Sequence, residues 1–308
     1  MKESAIEWTT STWNPVRGCS RISTGCENCY AERQAHRFSA MSQPYAGLVK
    51  LSRKGEPHWT GEVRKVPHML SQPLRWKKGR RIFVNSMSDL FHETLSLTDI
   101  AAVFGVMATA DHHQFQVLTK RAKIMNRFVR AATAGVDPVS MCCDAARHQL
   151  QGHGGAPFRK HVAHSIAHQT DWPVPWPLPN VWLGVSVEDQ QAAAERIPQL
   201  LNTPAAVRWL SVEPLLEKVD LGLDGMSDID WIVVGGESGP GARPCDVEWI
   251  ADVVEQALAC GIAVFVKQLG ANVVRHSVKH RKGADMGEWP EELRIRQYPQ
   301  DPGGVVDQ

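Results

Sequence analysis

No stretch of this chain approaches the roughly 20 consecutive apolar residues that a membrane-spanning helix needs, so no membrane association is expected. The opening Met1-Lys2-Glu3-Ser4 lacks the apolar run of a secretory signal, and a cytoplasmic location is expected. Neither sign of charge is in excess: 34 Lys and Arg stand against 33 Asp and Glu, a net of +1. A disulfide framework is missing too, because the seven cysteines are odd in number and Cys142, Cys143, Cys245 and Cys260 follow no regular spacing. The glycine spacing of a dinucleotide site and the Gly-Lys-Ser/Thr ending of a P-loop are both absent, which argues against nicotinamide or ATP binding. No internal repeat is visible. What remains is a chain of 308 residues, 43% hydrophobic and 22% charged, which suits a single domain with a sizeable core.

Against this background stands Cys19-x6-Cys26-x2-Cys29, three thiols gathered near one early turn and followed at once by Tyr30 and a helical pattern. A structural zinc site normally closes with four protein ligands, whereas a cubane iron–sulfur cluster on three cysteines leaves one iron open to an exogenous ligand. The three cysteines are therefore read as metal ligands with a catalytic role.

Short apolar runs alternate with longer helical patterns. Strands are predicted at residues 81–86, 114–119, 181–187, 206–211, 231–235 and 263–267, with a weaker one within 6–13. Helices are predicted at 97–109, 121–132, 190–201 and 247–260, with Thr98 and Asp246 as candidate caps. Strands that read as continuous apolar runs are buried on both faces, so the expected fold is α/β: a complete or partial (β/α) barrel with irregular insertions, ahead of a doubly wound open sheet. Residues 43–80 read as a basic, irregular crossover and 134–180 as a His- and Pro-rich insertion. In the latter, His148, His153, His161, His164 and His168 are read as solvated or substrate-facing rather than as a second metal site.

A barrel gathers function where its strands end. Those positions here are polar: Asn85-Ser86-Met87-Ser88-Asp89, Thr119-Lys120-Arg121, Ser186-Val187-Glu188-Asp189, Ser211-Val212-Glu213-Pro214, Gly235-Gly236-Glu237 and Lys267-Gln268. Asp89, Glu188, Glu213 and Glu237 suit a cofactor amine or ribose hydroxyls, and Lys120, Arg121 and Lys267 suit a carboxylate or phosphate. Gly235 and Gly236 would let the backbone approach a ligand. From Lys50 to Arg81 ten Lys and Arg face two acids, with Trp59 and Trp76 among them. That composition suits nucleic acid, although solvated surface is the commoner outcome for such a segment.

Residues 13–19 and 26–32, with Phe83-Val84-Asn85-Ser86-Met87-Ser88-Asp89-Leu90-Phe91 and Gly235-Gly236-Glu237-Ser238-Gly239, resemble the phage gene-product 37/68 family. Its members occur in phages, prophages and bacteria and are largely uncharacterised radical-SAM-like proteins. The resemblance implies a barrel of the radical S-adenosylmethionine type, with Cys19, Cys26 and Cys29 holding a [4Fe-4S] cluster and S-adenosylmethionine as second cofactor. It places Ser86, Ser88 and Asp89 where the superfamily binds the methionyl amine, and Ser186 and Glu188 near the ribose. The first cysteine spacing is longer than the superfamily's, and the aromatic residue follows the third cysteine instead of preceding it.

The implied reaction is reductive cleavage of S-adenosylmethionine with hydrogen abstraction from a nucleotide, nucleic-acid or partner-bound substrate, drawing on a reductant. Two other readings stand beside it. One is a zinc-stabilised nucleic-acid-binding protein with His36 or His58 as fourth ligand. The other is a metal-dependent barrel hydrolase using Asp89, Glu188, Glu213 and Glu237.

Overall fold

The computed structural model describes residue 4 and residues 6–151, 175–223 and 228–299. Seven parallel strands make one sheet in chain order: β1 (Ser11–Trp13), β2 (Arg81–Val84), β3 (Gln114–Thr119), β4 (Val181–Ser186), β5 (Val207–Val212), β6 (Trp231–Gly235) and β7 (Ala263–Gln268). The sheet curls into a half-barrel whose edge strands, β1 and β7, do not pair with each other. The expected α/β class and the partial-barrel alternative therefore hold, and the doubly wound arrangement does not, because the strand order never reverses.

Period-2 alternation explains the two faces. Ile82, Val84, Val117, Leu183, Val185, Leu210, Val212, Ile232 and Val234 point outward into the main core beneath the helices. Phe83, Trp182, Trp209, Trp231, Val233 and Phe265 point inward with Trp8 and fill the concave side. Ring centroids there stand 5.3 Å apart for Trp8–Trp209 and for Trp209–Trp231, and 5.7 Å for Trp182–Trp231. Each such ring buries on the order of 200 Å², worth about 5 kcal/mol before conformational entropy is charged. These rings lie toward the strands' N-terminal halves, so they floor the half-barrel and leave the C-terminal ends to form its mouth.

Six longer helices are described: α1 (Tyr30–His36), α2 (Leu97–Thr109), α3 (Ala122–Thr133), α4 (Pro138–Gln149), α5 (Gln190–Leu201) and α6 (Val247–Ala259). Ser96 caps α2 in a reciprocal capping box with Asp99, in place of the expected Thr98, while Asp246 caps α6 as expected. The insertion at 134–180 is not irregular at its start. Pro138 at the first turn and Asp137 as cap launch α4, which buries Cys142 and Cys143 against α2. His148 lies exposed on that helix; His153, His161, His164 and His168 fall outside the described residues.

The 43–80 crossover contains a two-stranded ribbon, Val49–Leu51 with Pro57–Trp59, packed on α1, and a second pairing of Arg64–Lys65 with Val16–Arg17. Three of its cations are engaged within the chain. Lys65 pairs with Asp99 at 2.7 Å, Arg64 with Glu62 at 2.9 Å, and Arg80 bonds Ser11 at 2.9 Å. Trp59 and Trp76 are 7% and 8% exposed, so both belong to the core rather than to a stacking surface.

Candidate functional site

The segment carrying the three cysteines crosses the mouth of the half-barrel and is tied down at three stations. At the first, Arg121, just past β3, donates to Ser20 Oγ at 2.7 Å and to the Ser20 carbonyl at 3.3 Å, and its Nη1 lies 3.9 Å from Cys19 Sγ. At the second, past β4, Thr24 donates to Asp189 at 2.8 Å and Gly25 rests on the Glu188–Lys120 pair. A β-carbon at Gly25 would fall 2.9 Å from the Glu188 carboxyl carbon and 3.0 Å from Lys120 Nζ, so the close approach depends on glycine. At the third, past β6, Asn28 donates to Glu237 at 2.9 Å while Arg243 bridges Glu237, Glu27 and the Thr24 carbonyl.

Around this docked segment most of the strand-end residues expected to hold ligand also have partners within the chain. Asp89 accepts from Thr119 Oγ1 at 2.7 Å, Phe91 N at 2.9 Å, and Lys120 N and Arg121 Nη1 at 3.2 Å each. Both of its oxygens thus accept from groups of the chain itself. Glu188 is fully buried between Lys120 at 2.7 Å and Arg196 at 2.8 Å. Burial alone would raise its pKa, but the two cations overcome that and hold the carboxyl at about 2. Burial likewise opposes ionisation of Glu237, and the bonds from Arg243 and Asn28 leave it below the usual carboxylate range.

Ser88 donates to the Val16 carbonyl at 2.8 Å and fixes the ribbon ahead of the cysteines, while Ser86 exchanges bonds with Asn14. The Ser186 carbonyl accepts from Arg196 at 2.7 Å. Gly235 and Gly236 permit close packing: a β-carbon would sit 2.8 Å from the Gln268 carbonyl oxygen at one and 2.2 Å from that of Leu269 at the other.

One predicted pair stays accessible. Glu213, past β5, accepts from Lys267 at 2.6 Å and Gln268 at 3.0 Å, and the Glu213 and Lys267 side chains are 17% and 18% exposed. Tyr30, at the start of α1, reaches over this side and donates to the Ser86 carbonyl. Asn85 sits nearby at the end of β2 with φ 58°, buried, and neither atom of its amide has a hydrogen-bond partner.

The cysteines themselves are each half-buried. Burial, then the charge of Asp89, pushes the Cys19 thiol up to about 12; Arg121 pulls the other way, and Cys26 and Cys29 add to the rise. Cys29 is raised as well, chiefly by burial. The three therefore share one electrostatic neighbourhood. Among the described residues no group of three or more His, Cys, Asp or Glu side chains is placed to hold a metal ion. By donor type alone, three thiols without a fourth protein ligand are the set that a cluster with one open iron takes. His36 ends α1, exposed and beside Ser39, roughly 10 Å along the helix axis from Cys29 at 1.5 Å per residue. The four carboxylates of the hydrolase reading pair with four different cations, Arg121, Lys120, Lys267 and Arg243. On its outer side the cysteine segment borders a cleft of about 330 Å³ lined by Arg21, Asn28, Cys29, Glu32, Arg33 and Pro240.

Arg196, Arg243, Asn28 and Tyr30 were not among the expected site residues. Asn28 and Tyr30 flank Cys29 and carried that positional signal; Arg196 lies eight residues, about two helical turns, past Glu188, and Arg243 a short loop past Glu237, with no local signature. Among the described residues no helix is long and apolar enough to cross a membrane.

Fold and site together define an α/β half-barrel protein with a three-cysteine segment laid across the C-terminal ends of its strands. Residues 3–299 match the family model described as Protein of unknown function (DUF5131), and the chain belongs to that family. No curated protein and no solved structure matches the chain.

Proposed function

We propose that this protein is a radical-SAM-like iron–sulfur enzyme, in keeping with its resemblance to the phage gene-product 37/68 family. The observation that carries the reading is the three-station docking of Cys19–Cys29 across the half-barrel mouth, which spends buried ion pairs on fixing a cysteine segment. A merely structural thiol loop has no need of that position. Cys19, Cys26 and Cys29 would hold a [4Fe-4S] cluster. Such a cluster, once reduced by an external donor, would supply the electron for reductive cleavage of S-adenosylmethionine and so for hydrogen abstraction from substrate. The protein's own residues orient and exclude water: Arg121, Lys120–Glu188 and Arg243–Glu237 fix the loop, Tyr30 roofs the site, and the tryptophan floor closes it from below. Glu213 and Lys267, the accessible pair, face the substrate, for which a nucleotide, nucleic-acid or partner-bound group is proposed.

The test is anaerobic purification with iron and sulfide assay, absorption before and after dithionite, and analysis for 5′-deoxyadenosine after addition of S-adenosylmethionine. About four irons per chain, bleaching by dithionite and formation of 5′-deoxyadenosine are expected, with colour lost in Cys26→Ser. One zinc per chain without iron would overturn the reading in favour of a zinc-stabilised binding protein.

A further inference from the structure

Arg121 lies between β3 and α3 with its side chain 3% exposed. A guanidinium has five N–H donors in a fixed planar fork. Here Nε donates to Glu93 at 2.9 Å, Nη1 to Asp89 at 3.2 Å with Cys19 Sγ at 3.9 Å, and Nη2 to the Ser20 hydroxyl at 2.7 Å and the Ser20 carbonyl at 3.3 Å. All five donors thus face groups of this chain, Cys19 Sγ the most distant of them. Its partners divide into two groups: Asp89 and Glu93 belong to the barrel, and Cys19 and Ser20 belong to the loop. Ser20 Oγ lies 2.9 Å from Nε2 of the buried His92, which extends the connection to Thr94.

We propose that Arg121 is a positioning residue that clamps the Cys19 arm of the cysteine loop to the end of β3 and sets the electrostatics at that sulfur. The six-residue gap between Cys19 and Cys26 gives the reason. Freedom of a loop grows with its length, so the first cysteine has more conformations to lose than Cys29, which is fixed at the start of α1. Two bonds to Ser20, the residue next to Cys19, remove that freedom at the arm's root. A lysine keeps the charge but has no planar fork, and it cannot reach both groups of partners at once. The clamp concerns this chain's own residues; its consequence for the cluster rests on the proposed function.

The experiment uses the full chain as Arg121→Lys, Ser20→Ala and Arg121→Gln, each checked for a cooperative melt. In metal-free protein, mass-spectrometric alkylation should label Cys19 at least fivefold faster in Arg121→Lys and in Ser20→Ala than in wild type, with Cys26 within twofold. Ser20→Ala keeps Arg121 paired with Asp89, so it decides the matter if Arg121→Lys fails to fold. Cys19 labelling at the wild-type rate in a folded variant would overturn the clamp. This arm needs no iron, so it stands whether or not the iron–sulfur reading does. In reconstituted protein, iron retention should fall at least fivefold in Arg121→Lys, and the midpoint potential of Arg121→Gln should shift to more negative values as the charge beside Cys19 is lost. Faster labelling with unchanged iron retention and potential would overturn the role toward the cluster.

Discussion

Gly25 rests on Glu188, with the place of its missing β-carbon 2.9 Å from the carboxyl carbon. The centre of the cysteine segment is thereby in contact with the end of β4, and the carboxylate below cannot retreat because Lys120 and Arg196 hold it on two sides. Gly25→Ala should lift the loop off this station while leaving the sheet intact. A loss of about 1–3 kcal/mol from overpacking is expected, with faster proteolysis of residues 19–29 in the metal-free protein. Limited proteolysis beside thermal melts checks it; unchanged cleavage would remove Gly25 from the docking.

Glu188 predicts an acid limb to stability. Its folded pKa, about 2, lies below the ordinary 4.5, so its stabilising contribution is fully present above about pH 4.5 and is lost as pH falls toward 2. Glu188→Gln should flatten that part of the profile. It should also cost about 3–5 kcal/mol at neutral pH by leaving Lys120 and Arg196 without their counter-charge. Urea midpoints measured from pH 7 to pH 2.5 on both proteins decide this.

The Cys19 thiol, raised to about 12 by burial and the charge of Asp89, should alkylate slowly at pH 8, where little of it is thiolate. Metal ligation needs that proton gone, so loading should improve as pH rises. Labelling rates and metal uptake measured between pH 7 and pH 9 test both statements on one preparation.

Glu213→Gln and Lys267→Met should separate the accessible pair from the loop stations. Neither residue touches the cysteine segment, so wild-type iron content is expected, with product formation reduced at least tenfold. Iron lost in step with product would place the pair among the groups that hold the loop.

Much of the fold was legible before any coordinates. Parallel strands buried on both faces write themselves as unbroken apolar runs, and β3, β6, α2 and α5 begin and end where the pattern put them. Helix α4 was hidden by the Gly-, Pro- and His-rich composition around it, although Asp137 followed by Pro138 is a helix-start signal. At the site, the sequence identified which residues end the strands but not what they hold. Asp89, Glu188 and Glu237 take their partners from Arg121, Arg196 and Arg243, pairings that only the folded chain creates. Trp59 and Trp76 looked like stacking residues because residue type alone says nothing of burial.

The indoles of Trp8, Trp182, Trp209 and Trp231 have a bearing on traffic. They fill the hollow of the sheet near the strands' starts, so the room left for a guest lies at the strand ends, beneath the cysteine segment. How readily that segment lifts from its three stations would then govern how fast a guest comes and goes.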